Sequence, residues 1–205
     1  MRPVTRDDYP VETLHRIVSG VTFFKELMKA DPEQFELLMS QARFVTADPD
    51  EVILHKGDAA NVLYFLLKGQ LEVRQNDLAE ETLNQINPGE PFGVMAMVLD
   101  SGRSASIRVS GRQALLAGLE FDLFRHTDSA SMFSLATRLV FFRMINSNIR
   151  WALERNKMSS PDHPLIARMR ALPIYTGEKD TAAELHSLME LAHIQAELLR
   201  DWNES

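Results

Sequence analysis

Residues 87–107, NPGEPFGVMAMVLDSGRSASI, decide the fold that we predict for this chain. The stretch opens on a proline–glycine turn, passes through Gly93 into the short apolar segment 94–99, and turns again before Arg103. Backbone N–H groups at the start of a helix point at an anion, and the helix dipole favours its charge. An arginine can bind the same phosphate through paired, charge-assisted hydrogen bonds. The stretch therefore predicts a small anion-binding site.

Short apolar runs on both sides of this stretch have the period of β-strands. They cover residues 44–45, 51–54, 63–67, 70–74, 81–86, 106–109 and 114–119. Turn sequences such as Lys56-Gly57-Asp58 and Lys68-Gly69 separate them at intervals of about 8–12 residues. This pattern predicts an antiparallel jelly roll, or double-stranded β-helix, within a mainly β fold with flanking helices (α+β).

Helical periodicity flanks the predicted barrel on both sides. Before it, residues 11–27 carry apolar positions at helical spacing, and Asp31-Pro32 begins a further helix. After it, we predict a long helix over residues 131–157 and a last amphipathic helix that begins at a capping box, Thr181 to Glu184. The predicted parts are a helical segment at 1–42 with its first ten residues loose, the barrel at 43–130, the long helix at 131–157, and a linker with the last helix at 158–205.

The order of these elements resembles the cyclic nucleotide-binding domains of catabolite-activator-type regulators and of cyclic AMP-dependent kinase regulatory subunits. The family's phosphate-binding cassette follows the pattern F-G-E-(L/I)-A and, several residues later, R-(S/T)-A. This chain reads Phe92-Gly93-Val94-Met95-Ala96 and then Arg103-Ser104-Ala105. The resemblance implies a non-enzymatic signalling module without a cofactor, whose ligand is a cyclic nucleotide, with cyclic AMP favoured.

The resemblance also implies roles for the cassette residues. The matched positions are Gly93, Val94, Met95, Ala96, Arg103, Ser104 and Ala105. Arg103 would hold the cyclic phosphate, assisted by backbone N–H groups of residues 94–96 and by Ser104. The family glutamate that binds the ribose 2′-hydroxyl is replaced here by Val94. Loss of such a bond costs about 1.5–3 kcal/mol, or roughly ten- to hundred-fold in affinity, unless Glu90 reaches the ribose instead.

The predicted long helix carries an apolar seam with heptad spacing and one polar member. The seam comprises Leu135, Leu139, Phe142, Asn146, Ile149 and Leu153. In the resembled regulators this helix forms the dimer interface, so the expected state is a homodimer through the seam. The alternative is a monomer in which the last helix covers this face. Asn146 has two equal interpretations: contact with the base of the ligand, as the resemblance implies, or a buried polar residue that sets register in a dimer seam.

The composition excludes several classes of function. The 205 residues contain no cysteine, which excludes disulfides and thiolate metal sites. A formal net charge of −7 and an acidic tail after residue 157 argue against DNA binding. The first residues lack the apolar core of a signal peptide, and no stretch approaches the roughly 18 apolar residues of a membrane span. We therefore expect a cytoplasmic protein that makes no membrane contact.

Candidate metal ligands and catalytic groups are sparse. His186, Glu190 and His193 would share one face of the last helix, but a solvated polar face is favoured over a zinc site because no fourth ligand is evident. His55 is the one histidine of the strand region, whereas a cupin-type metal site needs three or four convergent ligands. No metal site and no enzymatic activity are expected.

Two functions remain open at this point. In the first, a cyclic nucleotide binds in the barrel at Arg103 and shifts a hinge at residues 121–130 together with the long helix. In the second, the barrel is a degenerate scaffold, and the helices mediate dimer or partner contacts without a ligand. In either case the output passes to a downstream protein.

Overall fold

The computed structural model describes residues 1–5, 8–125 and 131–205. The chain forms two compact units, Met1–Leu123 and Phe124–Ser205, here called the first and the second unit. Residues 126–130 of the predicted hinge lie outside the described residues. None of the described helices combines the length and the hydrophobicity that a membrane crossing requires.

Antiparallel strands form the sheet of the first unit. They are β1 (Arg2–Pro3), β2 (Arg43–Ala47), β3 (Val52–Leu54), β4 (Val62–Arg74), β5 (Thr82–Ile86), β6 (Pro91–Phe92) and β7 (Ser106–Glu120). Their order is β1-β2-β7-β4-β5, with β3 paired to β7 and β6 paired to β4. The long strands β4 and β7 pair from Val62 opposite Glu120 to Arg74 opposite Ser106. The predicted mainly antiparallel β fold is confirmed.

One predicted turn lies inside a continuous strand. The sequence predicts separate strands at residues 63–67 and 70–74, but β4 runs unbroken through both. Gly69 between them has a φ of 93° and sits at a register shift in the pairing of β4 with β7. A Cβ at Gly69 would lie 2.9 Å from the Cα of Ala114. Glycine therefore permits a bulge where the two strands approach closely.

Two further predictions about strands need correction. The predicted strands 106–109 and 114–119 are joined in β7, where Gly111 adopts a φ of 76° without ending the strand. The first residues, predicted to be loose, instead pair with β2, with Arg2 opposite Thr46. An edge strand with unpaired backbone groups is a favourable place for such an added segment.

The first unit also contains four helices within its described residues. They are α1 (Val11–Val18), α2 (Thr22–Ala30), α3 (Pro32–Gln41) and the short α4 (Val94–Val98). The side chain of Asp31 caps α3 as predicted, whereas α1 and α2 are two helices in place of one continuing pattern. Phe23 and Phe24 pack on Phe65 of β4, with ring centroids 5.4 and 4.9 Å away. The neighbouring residue, Leu66, belongs to the barrel core, as strand alternation requires.

The barrel core is an apolar cluster with members from β2 to β7. It comprises Ala47, Ile53, Leu54, Leu66, Leu71, Ile86, Phe92, Ile107, Val109, Ala114 and Leu116. Burial of each large side chain stabilises the fold by about 1.5–3 kcal/mol. Val45, Tyr64 and Val73 pack against this cluster but remain partly exposed. The cluster holds β6 and β7, the strands on either side of α4, in fixed positions.

The second unit is helical. Its helices are α6 (Leu135–Ser159), α7 (Ile166–Arg170) and α8 (Ala182–Asn203), and the short α5 (Asp122–Arg125) spans the boundary between the units. The hydroxyl of Ser134 accepts a hydrogen bond from the N–H of Thr137 at 3.2 Å, so α6 begins later than the predicted residue 131. Thr181 caps α8 through the N–H of Glu184, also at 3.2 Å, as the capping box predicts.

Helices α6 and α8 pack against each other. Arg143 of α6 donates three hydrogen bonds to Glu184 of α8, from Nε at 3.1 Å and from Nη2 at 2.7 and 2.8 Å. Further along both helices, Asn156 donates to Asn203 at 3.3 Å, so the two helices run parallel. The seam residues from Leu139 to Leu153 are buried on α6. Of the two arrangements predicted for the seam, α8 of the same chain covers this part of α6.

Candidate functional site

Arg103 is the central residue of the candidate site. It lies in the loop between α4 and β7, and its exposed fraction is 5%. Its guanidinium donates from Nη1 to the carbonyl oxygen of Gly93 at 3.0 Å and from Nη2 to that of Val62 at 2.8 Å. Its Nε is buried without a hydrogen-bond partner. A buried cation is thus held by two carbonyl oxygens, and its Nε–H donor is unsatisfied.

The backbone of Arg103 is fixed by the loop after β3. Gly57 donates its N–H to the carbonyl oxygen of Arg103, and Arg103 donates its N–H to that of Asp58, both at 2.9 Å. A Cβ at Gly102 would lie 3.0 Å from the carbonyl oxygen of Gly57, so the two loops approach closely. This pair of bonds sets the point from which the arginine side chain extends.

Gly93 leaves the space that the guanidinium occupies. Its φ is 81°, in the left-handed region that favours glycine, and a Cβ there would lie 2.2 Å from Nη1 of Arg103. Any side chain at this position would therefore displace the guanidinium and strain the turn. Position 93 therefore requires glycine both for its backbone conformation and for the space beside Arg103.

The charge of Arg103 has no counter-ion in the described chain. Burial lowers the pKa of the guanidinium, and the more distant charges of Tyr64 and Asp58 oppose this effect only in part. Within residues 1–5, 8–125 and 131–205, no carboxylate forms an ion pair with it. A buried charge that is solvated only by carbonyl oxygens is costly. The site is therefore complementary to an anion.

The other cassette residues differ in their burial. Val94, the first residue of α4, is 5% exposed, and Ala96 is equally buried. Met95 and Ala105 are partly buried, whereas Ser104 is exposed. These residues lie in α4 and in the loop that follows it, with an apolar side chain at the position of the family glutamate.

Glu90 does not replace that glutamate in the structure. Its carboxylate accepts a hydrogen bond from the N–H of Asn87 at 3.0 Å and closes the exposed turn before β6. The turn is further fixed by the N–H of Gly89, which donates to the carbonyl oxygen of Leu66 at 2.7 Å. Glu90 is a turn residue here, and the alternative that it serves the ribose has no support.

Comparisons with known proteins agree on the nature of this region. The family model described as the cyclic nucleotide-binding domain matches residues 44–127. The match covers 84 of the 205 residues of the chain. The chain is 37% identical over 127 residues to the cAMP-dependent protein kinase type II regulatory subunit of Drosophila melanogaster, a match that covers 55% of this chain and 33% of that protein. It is 28% identical over 94 residues to a cGMP-dependent protein kinase of Eimeria tenella, covering 46% and 9%.

A solved structure supports the fold. A Geobacter metallireducens protein assigned as cyclic nucleotide-binding superposes with a TM-score of 0.53 and 18% identity over 66% of this chain and 93% of its own. This chain spans a third or less of the length of the two curated relatives given above. The comparisons thus show that residues 44–127 are similar to cyclic nucleotide-binding domains. The finer expectation of a catabolite-activator-type regulator stays a prediction.

Three residues of the cyclic nucleotide-binding domain that contact Arg103 were missed by the sequence analysis. Val62 contributes its carbonyl oxygen, and Gly57 and Asp58 contribute backbone groups. Such contacts leave no side-chain signature, and the Lys56-Gly57-Asp58 sequence predicts only a turn. The Gly57-Asp58 pair, which lies before β4 and β5, is the one sequence feature that could have pointed to these contacts.

Asn146 lies in the second unit, apart from the cassette residues in the chain. Its amide nitrogen donates to the carbonyl oxygens of Phe142 and of Leu188, both at 2.8 Å, while its Oδ1 is buried without a partner. These contacts join α6 to α8 of the same chain. Both predicted roles of Asn146, contact with the base of a ligand and register in a dimer seam, stay predictions.

The polar face of α8 places two histidines beside glutamates. His186 lies 3.3 Å from Glu190, and His193 lies 3.7 Å from Glu197, each pair at i, i+4 spacing. No group of three or more histidine, aspartate or glutamate residues among those described is arranged to hold a metal ion. Exposed pairs of this kind contribute little to stability.

Proposed function

We propose that this chain is a cyclic nucleotide-responsive regulatory module, not an enzyme, and that Arg103 anchors the cyclic phosphate of cyclic AMP. The observation that carries the proposal is the buried guanidinium of Arg103, which has no carboxylate partner among the described residues. A phosphate oxygen would give this cation its counter-ion and could accept from the unsatisfied Nε. The similarity to a cAMP-dependent protein kinase regulatory subunit and to a cGMP-dependent protein kinase supports a cyclic nucleotide as the anion.

The remaining cassette residues would complete the phosphate site. Backbone N–H groups of Val94, Met95 and Ala96 at the start of α4 would face the phosphate, with Ser104 and Ala105 on the other side of the loop. Binding must compete with the carbonyl oxygens of Gly93 and Val62 for the guanidinium. We expect the Arg103 side chain to change partners when the ligand enters.

Val94 sets the expected strength of binding. With an apolar residue at the position of the family carboxylate, the ribose 2′-hydroxyl loses a charge-assisted hydrogen bond worth about 1.5–3 kcal/mol. We therefore expect affinity roughly ten- to hundred-fold below that of a site with the glutamate. The same substitution reduces the advantage of ribose over deoxyribose ligands.

The signal would leave the domain through the segment after β7. We propose that ligand binding shifts the segment 121–130 and α6, and that a downstream protein receives the change. A homodimer through Leu135 to Leu153 stays a prediction, although α8 of the same chain packs against that region of α6. A cytoplasmic location likewise stays a prediction, as does the expectation that the chain binds neither DNA nor membrane.

The alternative is a degenerate scaffold that binds no nucleotide. Val94 in place of the glutamate favours it, together with the carbonyl oxygens that already accept from both terminal nitrogens of Arg103. In that case the guanidinium would serve as a structural bridge between β4 and the turn before α4. The two functions differ in whether a bound anion stabilises the charge of Arg103.

Thermal unfolding with and without millimolar cyclic AMP or cyclic GMP tests the proposal, followed by calorimetric titration of any nucleotide that shifts the midpoint. A ligand at a hundred times its dissociation constant stabilises by about 2.7 kcal/mol, which raises the midpoint by several degrees. Arg103→Ala should abolish the shift. Arg43→Ala is the matched control, because Arg43 is an exposed arginine of the same unit, paired with Glu120 on the surface.

A shift that appears in the wild type and in Arg43→Ala but not in Arg103→Ala supports the proposal. No shift with either nucleotide supports the scaffold alternative. A shift that survives in Arg103→Ala would place the ligand elsewhere and overturn the assignment of the site.

A further inference from the structure

A second polar cluster lies beside the Arg103 loop and joins three segments of the first unit. His55 follows β3, Asp77 lies between β4 and β5, and Ser106 is the first residue of β7. The Nδ1 of His55 lies 2.6 Å from Oδ2 of Asp77. The other carboxylate oxygen of Asp77 accepts from the hydroxyl of Ser106. One carboxylate thus ties the loop after β3 to the start of β7.

This cluster is continuous with the bonds that hold Arg103. The hydroxyl of Ser106 accepts from the N–H of Lys56 at 3.0 Å. The next two residues of that loop, Gly57 and Asp58, bond both backbone groups of Arg103. The loop is therefore fixed at one end by Asp77, through Ser106, and fixes Arg103 at its other end.

We infer that the His55–Asp77 pair is a pH-sensitive latch that positions Arg103, so that protonation of His55 strengthens anion binding at the site. His55 and Asp77 are positioning residues that act through the loop and need not touch the ligand. The effect on affinity rests on the proposed function, whereas the effect on the loop does not.

The surrounding charges set the direction of the effect. The hydrogen bond to Asp77 raises the pKa of His55, burial opposes this, and the charges of Asp77 and Asp58 add to it. The bond from Ser106 lowers the pKa of Asp77, followed by the bond and charge of His55 and by the charge of Arg108. Arg108 also donates to the backbone carbonyl oxygen of Asp77 at 3.3 Å. Asp77 therefore stays ionised while His55 titrates.

The sign follows from the raised pKa of His55. Because this histidine binds its proton more tightly in the folded protein, the latch is fully formed below about pH 6.5, the ordinary histidine value. It is lost as the pH rises through the raised pKa. The side chains of His55 and Asp77 are 51% and 42% exposed, so solvent screens the pair. We expect the latch to change loop opening and affinity by roughly two- to fivefold.

Amide hydrogen exchange without ligand tests the latch directly. The N–H groups of Gly57 and Arg103 should be about two- to fivefold better protected at pH 6 than at pH 8.5, after correction for the intrinsic exchange rates. His55→Gln and Asp77→Asn should remove this pH dependence. His186→Gln is the matched control, because it removes an exposed histidine of the second unit that also faces a carboxylate.

Calorimetric titration with cyclic AMP at the same two pH values tests the coupling. The phosphodiester keeps its single negative charge across this range, so a two- to fivefold tighter binding at pH 6 would come from the protein. The difference should vanish in His55→Gln and persist in His186→Gln. No binding of cyclic AMP at either pH would reject the proposed function while the exchange data still report on the latch. Equal protection at both pH values in the wild type, or an unchanged pH dependence in His55→Gln, would overturn the latch.

Discussion

Arg103 in the first unit and Arg143 in the second unit meet opposite surroundings. Arg103 is 5% exposed, its acceptors are two backbone carbonyl oxygens, and burial lowers the pKa of its guanidinium. The side chain of Arg143 is 41% exposed, and it forms ion pairs with Glu184 and Asp180. The hydrogen bond to Glu184 is the main cause that raises the pKa of Arg143. The more deeply buried arginine is thus the one without a carboxylate.

The difference separates a structural arginine from a candidate binding arginine. A protein that must bury a cation for stability normally pairs it, because an unpaired buried charge opposes folding. Arg143 follows this rule and joins α6 to α8. Arg103 departs from it, and a charge that the protein itself leaves unpaired is the feature that an external anion can use. If this distinction holds, replacing Arg103 should reduce ligand binding, whereas replacing Arg143 should reduce stability.

Arg103→Met should have the largest effect. Methionine keeps much of the length of the arginine side chain but removes its charge and its N–H donors. Affinity for cyclic AMP should fall by more than about 100-fold, because charge-assisted hydrogen bonds of about 1.5–3 kcal/mol each are lost. Without nucleotide, the free energy of unfolding of the first unit should stay equal or rise. Titration calorimetry measures the first effect, and urea unfolding followed by circular dichroism measures the second.

Arg143→Met is the control for this pair of outcomes. It should leave nucleotide affinity unchanged and lower the stability of the second unit, because Glu184 then loses its partner. If Arg103→Met instead destabilises the first unit as strongly as Arg143→Met destabilises the second, Arg103 is a structural bridge and the comparison fails.

Val94→Glu is expected to have the second largest effect, because it adds to the Arg103 site the carboxylate that the site lacks. If the new carboxylate binds the ribose, cyclic AMP affinity should rise by roughly ten- to hundred-fold, which corresponds to about 1.5–3 kcal/mol. Val94 is 5% exposed, so the ligand-free variant should be less stable than the wild type. Calorimetry with both proteins measures the gain.

The deoxy analogue of the nucleotide is the matched control for Val94→Glu. Cyclic 2′-deoxy-AMP lacks the hydroxyl, so its affinity should not improve in the variant. A variant that binds both nucleotides more weakly and unfolds at higher denaturant concentration would show that Glu at position 94 pairs with Arg103. In that case Arg103 would have gained a carboxylate partner within the chain, as Arg143 has in Glu184.

The sequence allowed the arginine of the site to be predicted but not its present partners. Gly93 and Arg103 follow from the motif because a positive φ and a guanidinium both leave a residue-type signature. The acceptor oxygens of Gly93 and Val62 belong to the backbone and leave none. Sequence alone could therefore identify Arg103 but could not identify the carbonyl oxygens that accept its hydrogen bonds.

The same limit applies to two features of the fold. A glycine with positive φ serves a turn or a bulge equally well, so Gly69 was interpreted as a turn, although β4 continues through it. A heptad seam on α6 predicts that another helix covers it, but its period is the same for a second copy and for α8. Only the tertiary contacts of Asn146 and Glu184 distinguish the two.

Glu184→Gln should have a moderate effect confined to the second unit. The amide keeps the size of the side chain but loses the charge that faces Arg143, and we expect a loss of about 1–2 kcal/mol in unfolding free energy. This is less than for a fully buried pair, because Arg143 is 41% exposed. Fluorescence during urea unfolding reports on this unit, since Trp151 and Trp202 both lie in it. Glu190→Gln, an exposed carboxylate on the same helix, should change stability by less than about 0.5 kcal/mol.

Asn146→Leu should have the smallest effect. Leucine is close in size and removes a buried Oδ1 that has no partner, which offsets the loss of the hydrogen bonds to Phe142 and Leu188. The net change in unfolding free energy should stay within about 1 kcal/mol, because replacing imperfectly satisfied polar groups by apolar ones is often nearly neutral. Cyclic AMP affinity should be unchanged if the residue serves register alone. A tenfold loss of affinity at unchanged stability would restore Asn146 to the ligand site, and the nucleotide would then depend on both units of the chain.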